Sequence, residues 1–166
     1  MTAVSQGRKI EQNSSGLAAL ANPGGRSWYV NSTSGIDGNP GDTPLYPLLT
    51  LTQALTKAEA GDTIFLNPGG SETVTATLAV AVANLKIVCP AANPAAGFTV
   101  SGAGTLALMT VSAAGVHVEG LKFAHTGATA NAQCVLTTNA ADRLVVERCL
   151  FDDSAIVTTF TGTGVG

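Results

Sequence analysis

The feature that most constrains this chain is an internal echo. Val116 to Phe123 reads VHVEGLKF and Leu144 to Phe151 reads LVVERCLF, and the two stretches begin 28 residues apart. Overlaid, they match Val116 with Leu144, Val118 with Val146, Glu119 with Glu147, Leu121 with Cys149 and Phe123 with Phe151. Self-similarity at this period marks a stacked repeat, in which a unit too thin to bury its own apolar face needs a neighbour to cover it. Strand side chains alternate between faces, so Val116, Val118, Leu121 and Phe123 are expected to point inward. They should stack on Leu144, Val146, Cys149 and Phe151 about 4.8 Å away along the axis. His117, Glu119 and Lys122 then point outward.

Composition agrees with thin strands and tight turns. Of 166 residues only 11% are charged and 5% aromatic, and small or β-branched residues dominate, a usage foreign to helical bundles. The length suits one domain. With 11 acids against 8 bases the formal net charge is −3. No Lys/Arg cluster occurs, so nucleic acid and anionic membrane are not expected as partners. Cys89, Cys134 and Cys149 are odd in number and unevenly spaced, which argues against a disulfide framework and for buried free thiols. Arg8, Lys9 and Glu11 interrupt the N-terminal segment, and no 18-residue apolar run follows. Synthesis as a soluble cytosolic protein is the expectation.

Taken in order, residues 1–27 form a polar arm punctuated by Asn13-Ser14-Ser15-Gly16 and Asn22-Pro23-Gly24-Gly25. Such an arm needs a partner to hold it. Trp28 to Val30 reads as a short strand, and Asn31 to Asp42 as a long loop of turn formers. Leu51, Ala54, Leu55 and Ala58 then fall at i, i+3, i+4 and i+7, the stripe of one helix. Thr50 with Gln53 fits a capping box, and Gly61 stands where a left-handed C-cap is expected. Thr63 to Leu66 is a strand closed by Asn67-Pro68-Gly69-Gly70. Further strands are expected within Val80 to Val88, at Phe98 to Val100, at Leu106 to Val111, in the two echo stretches and at Cys134 to Thr138. Ser154 to Phe160 offers one more. Spacings of about 22 to 31 residues between equivalent strands suit a turn of three short strands, four turns at most.

The order of Trp28 to Val30, the Gly35 to Gly41 loop, the Thr50 to Ala58 helix and the Ala60 to Gly69 stretch resembles the N-terminal cap of right-handed parallel β-helix proteins, the pectate-lyase-like superfamily. The resemblance covers residues 28 to about 151. It implies an all-β fold, a short right-handed parallel β-helix with a capping helix and an extended N-terminal arm. The units would be an arm at 1–27 and a β-helix domain at 28–166, with its cap at 28–62 and its coils at 63–166. The superfamily includes polysaccharide lyases and hydrolases as well as bacteriophage virion proteins that are not enzymes, so it implies little about activity.

The strongest candidate chemistry is the outward pair Glu119 and Glu147, whose expected separation approaches the roughly 5 Å of a retaining glycosidase. Lys122, Arg143 and Arg148 lie close enough in sequence to neutralise them, and a shallow ladder offers no desolvation to raise one pKa. They are therefore read as surface. Asp152-Asp153 is read as a strand end or turn. Asp37, Asn39 and Asp42 carry oxygen ligands but lack the EF-hand spacing, and are read as a loop closing on itself. His117 and His125 have no Cys or His at ligand spacing, which sets zinc aside. No nucleophile elbow or phosphate loop occurs. No catalytic residue, cofactor or metal is expected.

Function is accordingly expected at the two ends of the solenoid. The expectation is a non-enzymatic virion structural protein, made in the host cytoplasm. A capsid decoration or cementing protein, docked on the shell through its arm and packed with copies of itself as a homotrimer, is favoured over a tail-spike or fibre component. The competing class is a carbohydrate-binding or carbohydrate-active module with its groove on the Glu119/Glu147 face.

Overall fold

A computed structural model describes residues 25–126 and 133–152. The chain is mostly β-strand in parallel sheets, with one α-helix among the described residues. Its strands are β1 (Ser27–Val30), β2 (Thr63–Leu66), β3 (Ser71–Thr73), β4 (Leu78–Val80), β5 (Lys86–Val88), β6 (Phe98–Ala103), β7 (Ala107–Val111), β8 (His117–Glu119), β9 (Leu121–Thr126), β10 (Gln133–Thr137), β11 (Val145–Glu147) and β12 (Leu150–Asp152). The helix α1 spans Leu51–Lys57. From β2 onward the strands enter three sheets in rotation, giving the orders β1-β2-β5-β8-β11, β3-β6-β9-β12 and β4-β7-β10. Every pairing is parallel.

Register is set by apolar columns. Trp28, Ile64, Ile87, Val118 and Val146 are successive partners in the first sheet. Val100, Phe123 and Phe151 align in the second, and Leu78, Met109 and Val135 in the third. A slip of one residue would turn each column out to solvent, so the columns hold the register strongly. The two echo stretches pair as expected, Val118 with Val146 and Phe123 with Phe151. The Phe123 and Phe151 rings stack at 5.4 Å and 11°. Val116, Val118, Leu121 and Phe123 are buried, whereas Leu144, Val146, Cys149 and Phe151 are half-buried.

The eight-residue stretches are not single strands. Gly120 (φ +75) bends the chain from β8 into β9, and Arg148 (φ +49) makes the same bend between β11 and β12. This bend explains why inward residues are spaced two, three and two apart. A second corner repeats more often. Gly61, Asn84, Gly115 and Arg143 each stand two residues before a first-sheet strand or its register partner, and all have positive φ, +87, +56, +70 and +55. Their amides reach to the following turn, Gly61 to the Ala83 carbonyl, Asn84 to Ala114 and Gly115 to Asp142. Asn84 is therefore a corner, and its strand begins at Lys86.

The N-terminal end is covered as the sequence suggests, with one correction. Thr50 caps α1 by accepting the Gln53 amide at 3.0 Å, and Leu51 and Ala54 bury their side chains against the sheets. The helix ends earlier than Gly61. Ala58 is its C-cap in an extended conformation (φ −67, ψ 140), and Gly61 belongs to the column of corners instead. The far edge of β1 is covered by the loop before α1, through Tyr29 N to Gly41 O at 2.7 Å and Leu48 N to Tyr29 O at 2.8 Å. Residues 1–24 of the arm, Asp153 and the expected strand Ser154 to Phe160 lie outside the described residues.

Candidate functional site

On the outer face of the first sheet two columns run side by side. One is Tyr29, Phe65, Val88, Glu119 and Glu147, and the other is Ser27, Thr63, Lys86, His117 and Val145. Glu119 and Glu147 are thus register partners, the ladder the repeat implies. His117 and Glu119 are two apart on β8 and share a face. The imidazole consequently lies beside both acids, with Nε2 at 3.9 Å from Glu119 Oε2 and 3.6 Å from Glu147 Oε2. One ligand atom from each of the three side chains lies within 4.8 Å of the others.

Arg148 meets one acid of the ladder, through an ion pair of its guanidinium with Glu119 Oε1, and no Lys or Arg pairing is seen for Glu147 among the described residues. Lys122 does not join it and pairs instead with Asp152 at 2.7 Å. Arg143 occupies a left-handed corner. Glu119 is sheltered, 21% exposed, while Glu147 is 57% exposed. The same face carries Tyr29 and Phe65, but their rings stack on each other at 5.5 Å and 19°. Rings stacked along the strand-pairing direction turn their edges outward, so they do not form the flat platform on which a sugar ring would lie.

The remaining candidates resolve into structural roles. Asp37 is fully engaged, accepting the Leu49 and Thr50 amides and the Thr50 hydroxyl, each at 2.9 Å. Asn39 donates its side-chain amide to Pro47 O, and the Lys57 ammonium takes the Asn39 and Pro40 carbonyls at 2.7 and 3.2 Å. A built-in cation therefore stands among the loop oxygens, and Asp42 is exposed. His125 is buried, with Nε2 at 2.9 Å from Leu106 O. Cys89, Cys134 and Cys149 are free thiols, and burial pushes the Cys89 and Cys149 thiols up from their ordinary values.

Two carboxylates matter more than the sequence reading allowed. Asp62, 1% exposed, accepts the Arg26 amide at 2.5 Å, the Trp28 indole N–H at 2.7 Å and the Glu59 amide at 2.8 Å. Burial pushes this carboxyl up, but the hydrogen bonds from Glu59, Trp28 and Arg26, with the Arg26 charge, carry it below the usual value. Glu72 reaches across from β3 to accept the Leu51 amide at 2.6 Å at the start of α1. Neither has a periodic signature, because each acts on a segment distant in sequence. The gathering of His117 with the two glutamates was in principle visible, since the i, i+2 spacing and the repeat offset together define it. No helix among the described residues is long and apolar enough to cross a membrane. No protein-family model matches the chain, and no curated protein matches it.

Proposed function

We propose that the chain winds as a short right-handed parallel β-helix and serves as a non-enzymatic structural protein of a virus particle, of the capsid decoration or cementing kind. The rotation of strands through three parallel sheets supports the winding, and parallel crossovers are overwhelmingly right-handed. The observation that carries the role is where the exposed apolar side chains lie. Of the five exposed large hydrophobic side chains among the described residues, Ile36, Leu45, Tyr46 and Leu49 belong to the loop that closes over β1, and Val145 lies on β11 at the other end of the sheet. Apolar side chains concentrated at one end of a molecule favour protein contact there. In this reading the arm, residues 1–27, and that loop dock on the capsid shell, and three copies shield one another as a homotrimer. The protein is made in the host cytoplasm and resides in the virion.

A tail-spike or fibre component would use the same fold. The carbohydrate reading has one observation in its favour, a recess of 490 Å³ whose lining includes Thr50, Thr52, Thr73, Thr77, Asp37 and Glu72. Its two acids are already tied to the start of α1. Co-expressing particles with a chain lacking residues 1–24 tests the docking role, because Gly25 and Arg26 remain to engage Asp62. Incorporation should fall to background, and full occupancy by the truncated chain would overturn the arm's role. A glycan screen with Glu119→Gln and Glu147→Gln on the ladder face, or with Glu72→Gln at the recess, tests the competing class. Cleavage or binding abolished by any one of these changes would replace the structural reading.

A further inference from the structure

We infer that His117, Glu119 and Glu147 form a binding site for a divalent transition-metal ion of the Zn²⁺ class, independent of the virion role. The inference starts from an unmet need. Nε2 of His117 is shielded from solvent and has no hydrogen-bond partner. It faces Glu119 Oε2 at 3.9 Å and Glu147 Oε2 at 3.6 Å. Both separations are too long for an N–H···O bond, so the ring as placed donates to neither carboxylate.

The same separations suit an ion held between the three atoms. Zinc–nitrogen and zinc–oxygen bonds of about 2.0 to 2.1 Å put neighbouring ligand atoms roughly 3.3 Å apart in a tetrahedron and no more than about 4.1 Å apart in a line. The two imidazole–carboxylate separations fall inside that interval, whereas the three atoms as a group lie only within 4.8 Å of one another, so the two carboxylate oxygens must draw closer on binding. The remaining closure lies with Glu147, whose exposed side chain is free to swing. An imidazole nitrogen selects against Ca²⁺ and Mg²⁺, which take oxygen ligands, and two carboxylates with one imidazole suit Zn²⁺ and its neighbours. Three protein ligands leave a fourth position open to water.

The surrounding charges fit a modest affinity. Arg148 binds Glu119 through Oε1, which fixes the carboxylate and leaves Oε2 turned to the imidazole, as outer groups commonly orient metal ligands. Lys86 is the register neighbour of His117 on one side and Val145 on the other, and Val88 flanks Glu119. Two carboxylates against one guanidinium and one ammonium leave the ion's own charge largely uncompensated, so the site is weaker than a closed structural zinc centre.

The test uses the full chain stripped of metal and titrated with Zn²⁺ by calorimetry and with Co²⁺ by visible absorption. One ion should bind per chain, without a thiolate-to-cobalt band. His117→Gln and Glu147→Gln should each weaken it by about tenfold or more, while Asp152→Asn and Cys149→Ser leave it unchanged. Unaltered thermal melts will show that each variant folds. Zn²⁺ binding equal in His117→Gln and the parent, loss of binding in Cys149→Ser, or no saturable binding at millimolar Zn²⁺ would each overturn the assignment.

Discussion

Alanine at Gly120 tests a corner where backbone meets backbone. Gly120 has φ +75, and a Cβ built there would overlap the Cys89 carbonyl oxygen of the preceding turn. Both neighbours are backbone held in the ladder, through Cys89 N to Glu119 O at 2.9 Å and Gly120 N to Glu147 O at 3.1 Å, so neither can rotate aside. The left-handed conformation costs an L-residue roughly 1–2 kcal/mol. Overpacking against a fixed neighbour adds about 1–3 kcal/mol. A total near 3 kcal/mol lowers the melting temperature of a domain of this size by roughly 6–12 °C. Gly69→Ala separates the two contributions, because Gly69 has φ +72 with nothing within 4 Å of an added Cβ. Its variant should lose only the conformational part, about 1 kcal/mol. Thermal and urea unfolding of both variants give the comparison. A Gly120→Ala protein that melts no lower than Gly69→Ala would refute the close approach, and with it the tight stacking of that corner.

Two further perturbations read other parts of the fold. Asp62→Ala leaves the Trp28, Arg26 and Glu59 donors without their acceptor, at about 1–3 kcal/mol for the buried Trp28 indole and less for the two part-buried amides. The loss should appear in the fluorescence-detected unfolding of Trp28, the chain's single tryptophan. Because the folded Asp62 carboxyl lies below its ordinary value, its contribution is complete above the unfolded pKa, about 3.9, and is lost as pH falls through the lower folded value. Parent and Asp62→Asn stabilities should therefore converge on acidification below about pH 4, and a constant gap down to strong acid would count against the hub. Phe123→Ala removes a ring with no exposure and should cost about 3–5 kcal/mol. Phe151→Ala, half-buried on the other side of the same stack, should cost clearly less, and equal losses by chemical denaturation would show that both turns are closed to solvent alike.

The parts of the fold legible in the sequence are those with a period. The echo of VHVEGLKF in LVVERCLF carries the pairing of Val118 with Val146 and of Phe123 with Phe151, because an apolar column is written once per turn. The helix was readable because Thr50 and the Leu51 to Ala58 stripe are local. The corners were not. Asn84, Arg143 and Arg148 adopt the left-handed conformation without being glycine, and only stacking on their neighbours reveals why. Gly61 misled as a helix cap because glycine marks any left-handed residue, and the column running through Gly115 claimed it. Asp62 and Glu72 stayed hidden because they serve amides far away along the chain. Ligand spacing along the sequence does not single out His117, because its neighbours come from one strand over and two residues on.

The column through Gly61, Asn84, Gly115 and Arg143 has a consequence for how such a chain can change in length. The stretches between these corners are unequal, yet the strands that follow them remain aligned. Extra residues are taken up elsewhere, as in the short 3₁₀ segment Pro94–Ala96. Evolution can thus lengthen or trim a turn without rewriting the core, provided the corner keeps its phase.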